Sequence, residues 1–412
     1  MKRLAVIFML GCILLSGCSA LKQGFSSFSD LIKGGTPSVV DADPLARFSE
    51  DEIKAGIQKA VNLYTRAYNE NNIELLTRAV DQENMPFRRM MQMQFSDYQK
   101  SIYGGSGFLS LLVESVHPRE NGFVQAKLSQ DGEVFFDWVF RMNGKNWVIS
   151  EPNREQLGKP ERVEKNSFVY EMYSWTAETN PEVMVLMENA AQRVKDKLGK
   201  IPDQKVLVRI LPGYSADPYS APNAMAYYQL RQNEEDMDSI VMYSPGCYNF
   251  GWYAGSSTWQ NALEDTLVHE FTHLTHRRTF NNSGALMDWF TEGLAEYVSD
   301  SVRIFEVREA LLHDKLIPII DTETPVYKQD LMHLYLLEKD KSLAYAEAES
   351  LMFFIASEYG GKDAIWMLAG TYDEIQDFDA SLQQAFGDNY ETFTDKWIAW
   401  LKTAFLQDGS GG

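Results

Sequence analysis

The segment His269-Glu270-Phe271-Thr272-His273, followed by Trp289-Phe290-Thr291-Glu292-Gly293-Leu294-Ala295-Glu296-Tyr297, constrains the fold more than any other feature of this chain. On a helix, His269 and His273 stand at i and i+4, so both imidazoles leave one face about a turn apart. A tetrahedral zinc ion bridges two such rings, and Glu270 beside the first is placed to take a proton from a metal-bound water. Eighteen residues, 274–291, separate His273 from Glu292. That length lets the chain turn and lay a second helix beside the first, with Glu292 as third ligand. Two packed helices carrying one metal site are therefore predicted.

Glu-Gly-Leu-Ala-Glu-Tyr at this distance resembles the third-ligand helix of the gluzincin zinc metallopeptidases. The form is that of their zinc-aminopeptidase branch and of the bacterial peptidase MA-like family. The resemblance covers roughly residues 180–405 and implies Zn2+ held by His269, His273 and Glu292, with Glu270 as the general base. Glu270 would pass its proton on to the leaving nitrogen. The resemblance also implies a Tyr for the oxyanion, opening a Tyr-x-x-(Gly/Ala) helix downstream. Tyr345, in Leu343-Ala344-Tyr345-Ala346-Glu347-Ala348, fits that place. Tyr335 and Tyr327 are rivals, and a structural Tyr is the ordinary alternative in a chain with 20 of them. One departure matters. No Gly-x-Met-Glu-Asn segment, which captures a free peptide amine in the aminopeptidases, is present. An endopeptidase is therefore expected rather than an aminopeptidase.

Two neighbours compete for ligand roles. His276 suggests a metzincin pattern, but that pattern needs Gly at 276 and His at 279, where this chain has His276 and Thr279. His276 reads instead as a polar residue at the helix end, where a cation or donor suits the exposed carbonyls. Glu296 shares a face with Glu292, but a fourth protein ligand would close the position that catalytic zinc leaves to water. Glu296 reads as a partner for the free N–H of His269 or His273, against the alternative of an ordinary surface charge.

The chain begins Met1-Lys2-Arg3, then has twelve residues from Leu4 to Leu15, too few to span a bilayer and suited to a signal-peptide core. Leu15-Ser16-Gly17-Cys18 resembles the lipobox of bacterial lipoproteins. The resemblance implies cleavage before Cys18 and lipidation there, which anchors the protein outside the cytoplasm on a bacterial membrane. Residues 18–45 read as a tether. Of three cysteines, Cys12 leaves with the leader and Cys18 takes the lipid; Cys247 is left as a lone, partly buried thiol with no disulfide partner. The formal charge of −20 becomes −22 once Lys2 and Arg3 are lost. Nucleic acid is excluded as a partner by that charge and by the lack of a basic patch. The same charge keeps the protein body off an anionic bilayer.

The fold class expected is α+β. Residues 46–160 begin with helical periodicity (Phe48, Ile53, Ile57, Val61, Tyr64, Tyr68) and a methionine-rich helix with Met85, Met90, Met91 and Met93 as core filling. Strands at 108–116, 123–128, 134–142 and 147–150 follow, with hairpin turns at Asp131-Gly132 and Asn143-Gly144. Helices before an antiparallel meander resemble the NTF2-like cone. Proline and glycine among charges mark a linker over 151–168, continuing to about 180. Residues 181–406 form the metal domain: a small mixed sheet, the metal helix from about 259 to 278, and a mostly helical C-terminal half. Within it, a polar loop runs from Pro212 to about Met237, and the strand at 238–244 is expected to offer an open edge to a peptide. Residues 407–412 read as a flexible tail.

These features point to a lipid-anchored zinc metallopeptidase of the cell envelope acting on peptides or proteins. Two other readings stand beside it: a non-catalytic binding lipoprotein with a structural zinc, and a zinc hydrolase of a non-peptide amide. A structural site has no need of Glu270, which disfavours the first of these.

Overall fold

A computed structural model describes residues 45–100, 110–130, 133–217, 225–230, 237–244, 259–280, 286–300, 304–320, 329–337 and 340–406. Cys18, the tether, Tyr327, Cys247, the Asp131-Gly132 turn and the tail lie outside them. The chain is α+β. The described residues open with three helices, α1 (Glu50–Asn69), α2 (Ile73–Ala79) and α3 (Met85–Lys100). A capping box starts α1: the Ser49 hydroxyl accepts from the Glu52 N–H, and the Glu52 carboxylate accepts from the Ser49 N–H. Ile53, Ile57, Val61, Tyr64 and Tyr68 are buried as their spacing predicts. The methionines divide: Met90 and Met91 are buried, while Met85 and Met93 are exposed.

Against these helices lies an antiparallel meander in the order β1 (Leu112–Pro118), β2 (Phe123–Gln130), β3 (Glu133–Asn143), β4 (Asn146–Ile149). Its last hairpin turns through Gly144 at φ +62°, a conformation that favours glycine.

A second sheet, mixed, has the order β5-β6-β7-β9-β8. Its strands are β5 (Glu161–Lys165), β6 (Phe168–Met172), β7 (Val206–Leu211), β8 (Ala226–Gln229) and β9 (Ser239–Tyr243). Three sequence expectations fail here. The stretch expected to be a linker carries β5 and β6, and the expected polar loop carries β8. The charged run Glu-Arg-Val-Glu-Lys of β5 looks like solvated chain because it is an edge strand whose side chains are exposed apart from Val163, half-buried against the core. The strand expected to have an open edge, β9, is instead interior, hydrogen-bonded to parallel β7 on one side and antiparallel β8 on the other. Among the described strands, β8 is the outermost on that side of the sheet.

Both faces of this sheet are covered. Val206, Val208, Ile210, Ile240 and Met242 point into the core shared with α4 (Asn180–Leu198) and α5 (Trp259–Thr279). Leu211, Val241 and Tyr243 join the core of the N-terminal unit instead. A polar knot seals that junction. Ser215 donates its N–H and its hydroxyl to Glu151 Oε2 (2.8 and 3.0 Å), and Asn84 Nδ2 donates to the Glu151 carbonyl (2.9 Å).

The C-terminal half is helical: α6 (Asp288–Ser299), α7 (Ile304–Leu312), a 3-10 turn at Leu331–Leu336, α8 (Lys341–Tyr359), α9 (Gly361–Ile375), α10 (Phe378–Phe386) and α11 (Tyr390–Leu406). Trp289, Phe290, Phe354, Phe393 and Trp397 fill its core. Among the described residues, no helix is long and apolar enough to cross a membrane.

Candidate active site

Helix α5 is buried along most of the motif: residues 270–276 are all sequestered, and His269 is partly exposed. Its threonines satisfy themselves there. Thr272 and Thr275 donate to the carbonyls of Val268 and Phe271 one turn back, at 2.8 Å each. An ion pair between Arg278 and the buried Asp238 ties the end of α5 to the approach to β9.

Helix α6 crosses close by, and Gly293 explains how Glu292 reaches the imidazoles. A Cβ at Gly293 would run into the carbonyl oxygen of Ala348 on α8, well inside van der Waals contact. Glycine at 293 therefore lets α6 seat directly on the α8 backbone. Gly293→Ala is expected to lower stability by about 1–3 kcal/mol and to weaken metal binding, because α6 must lift away. Thermal denaturation and a metal-competition titration on the same protein check both effects.

The three ligand atoms converge. His273 Nε2 lies 3.0 Å from His269 Nε2, and Glu292 Oε2 lies 3.4 Å from His269 Nε2 and 3.5 Å from His273 Nε2. Bonds of about 2.0–2.1 Å to a tetrahedral zinc place its ligand atoms about 3.3 Å apart, so the triangle has the size such an ion requires. The donor chemistry agrees. Glu292 Oε2 is fully buried and makes no hydrogen bond, an orphaned acceptor pointed at two ring nitrogens. Among the described residues, His269, His273 and Glu292 are the one group of such donors close enough to share an ion.

The electrostatics follow from crowding. Burial opposes a charge on His269, but Glu292, Glu296 and Glu270 outweigh it and raise its pKa to about 9. To hold a cation between these donors, His269 would have to give up that proton. Burial also works against ionisation of Glu292, yet His273 and His269 hold its carboxyl well below the usual range. Glu270 is pushed the other way, upward, by burial, with the two imidazoles and the Tyr228 N–H opposing. A raised carboxyl is suited to proton transfer near neutral pH.

The remaining predicted residues are placed as follows. Glu270 is buried and accepts from the backbone N–H of Tyr228 (3.1 Å), so the base is held by the sheet edge. Glu296 Oε1 lies 3.5 Å from His269 Nδ1, on the side away from the ligand triangle. Tyr345 is buried on α8 three residues before Ala348, on the helix that supports Gly293. His276 is fully buried rather than at an exposed helix end, and burial drives its pKa well below 6.5. Burial therefore works against a helix-end cation role for it.

Two residues at the site escape a sequence reading of their roles. Tyr228 supplies its N–H to Glu270 and sets its ring 5.2 Å from that of His273. Nothing in Ala-Tyr-Tyr-Gln distinguishes that strand from loop. Tyr335 donates its hydroxyl to Glu292 Oε1, a contact 43 residues apart in sequence.

Residues 255–403 match the family model described as Peptidase MA superfamily. The matched stretch begins before α5 and ends within α11, so it contains the whole ligand cluster. The match supports a peptidase of the MA clan, and the cluster has the donors that could hold a metal ion. No curated protein matches the chain.

Proposed function

We propose that this protein is a zinc endopeptidase, lipid-anchored through Cys18 on the extracytoplasmic side of a bacterial membrane. The observation that carries the catalytic part is the ligand triangle with an intact carboxylate beside it. His269, His273 and Glu292 bring their donor atoms within 3.0–3.5 Å of one another, and Glu270 beside His269 accepts from the Tyr228 N–H. A zinc ion held by the three donors would supply a Lewis acid and a water that ionises near neutral pH.

The chain's own residues do the rest. Glu270 Oε2 stays on the Tyr228 N–H while the carboxylate accepts the proton of the attacking water. Its upward-shifted pKa lets it keep that proton and return it to the leaving amine. Glu296 holds His269 from its Nδ1 side. Tyr345 is the family-implied donor to the developing oxyanion. Among the described strands, β8 is the outermost on the side of the base, and its outer edge is where a substrate backbone would pair. The anchor rests on residues 1–18 alone, which combine a short apolar core with Leu-Ser-Gly-Cys.

The absence of a Gly-x-Met-Glu-Asn segment supports internal cleavage. Internally quenched peptides with blocked amino termini are expected to be cut, and aminoacyl reporters are expected to be left intact. Cleavage of the reporters alone would reverse the endopeptidase assignment.

A further inference from the structure

We propose that Tyr335 is a positioning residue for the third metal ligand: its hydroxyl occupies Oε1 of Glu292 and leaves Oε2 as the one oxygen offered to the imidazole pair. The proposal rests on the metal-site reading above and concerns how that site is kept in shape.

Glu292 has no exposure, so each of its oxygens must find a partner inside the protein. Oε2 faces the two Nε2 atoms and makes no hydrogen bond. Oε1 takes the Tyr335 hydroxyl. An ionised carboxylate only accepts, so the phenol must be the donor. A carboxylate with both oxygens uncommitted offers two ligand atoms, and the second would fill the position that hydrolytic zinc sites leave open. A donor on Oε1 works against that.

Tyr335 is itself tied down, as a positioning group has to be. Its backbone N–H donates to Asp288 Oδ2 (3.4 Å), and Asp288 stands one turn before Glu292 on α6. One residue thus grips α6 twice, through main chain and side chain. The 3-10 turn carrying Tyr335 is fixed at its start by Asp330, which accepts from the N–H and Nδ1 of His333 (3.0 and 2.7 Å). The turn is also held from below. The N–H groups of Leu331 and Met332 donate to the carbonyls of Pro318 and Ile319, and the Ile317 N–H donates to the buried Glu347 of α8 (3.1 Å). With its proton committed to Glu292, Tyr335 is separated in role from Tyr345, the oxyanion candidate.

The test compares the full chain in detergent with Tyr335→Phe and with 4-aminophenylalanine in place of Tyr335. Zinc affinity is read by competition with a chromogenic chelator, and coordination by the visible absorption of the Co2+-loaded protein. Tyr335→Phe is expected to bind zinc about 10–100-fold more weakly. Its cobalt band should weaken, since a carboxylate offering both oxygens raises the coordination number. The amino analogue, which restores a donor at the same reach, is expected to recover both. Wild-type affinity and an unchanged cobalt band in Tyr335→Phe would overturn the proposal. So would a loss that the amino analogue does not recover, which would mark a packing role. A wild-type chain that takes up neither metal would overturn the metal site itself, and the proposal with it.

Discussion

Glu270→Gln is expected to reduce kcat/KM for peptide hydrolysis by about 10³-fold, within the range that positioned acid–base groups contribute, and to leave metal content unchanged. The substitution keeps the shape of the side chain and its acceptor for the Tyr228 N–H. Glu270 is buried and is not one of the three converging ligands, so the substitution removes no ligand atom. What is lost is the ability to take a proton from water and hand it to the leaving nitrogen. Steady-state kinetics beside metal analysis decide the matter. A mutant that loses metal would mean that Glu270 helps to hold the ion. A mutant with wild-type activity would remove it from the mechanism.

His273→Ala is expected to have an effect of a different kind, with metal and activity disappearing together. His273 is almost fully buried, and its Nε2 is 3.0 Å from the other imidazole and 3.5 Å from Glu292. Its removal takes one of three ligand atoms, a larger loss than the roughly 10–100-fold in affinity typical of an outer partner. It also leaves Glu292 buried with one imidazole fewer to offset its charge, a cost of about 1–3 kcal/mol in the metal-free protein. Equilibrium dialysis and thermal denaturation without metal measure the two effects separately. Retained metal at wild-type affinity would mean that another donor completes the site.

The site was legible in the sequence where chemistry demands particular residue types at helical spacing. His269, Glu270 and His273 are readable because only i and i+4 put two rings on one face. Glu292 is readable because the segment around it carries its own pattern, and Gly293 has its place in that pattern because the Ala348 carbonyl leaves no room for a Cβ. The Gly144 turn was readable for a similar reason, since turns are local. What stayed hidden is non-local. Four residues of β8 form a strand only because β9 lies beside them, and the same pairing takes the open edge away from β9. Phe168–Met172 is wholly buried, yet it follows a stretch whose prolines, glycine and charges read as linker. His276 looks like a helix-end cation until the helices around it exclude water. The Tyr335–Glu292 contact depends on how the 3-10 turn docks against α6, which no local pattern encodes.

The most direct test of the account is the zinc content of the purified full chain, measured together with cleavage of an unbiased quenched-peptide library before and after chelation. About one zinc per chain is expected, with cleavage abolished by the chelator and restored by added zinc. A protein that binds no zinc, or one whose cleavage survives chelation undiminished, would contradict the metallopeptidase built here on His269, His273 and Glu292.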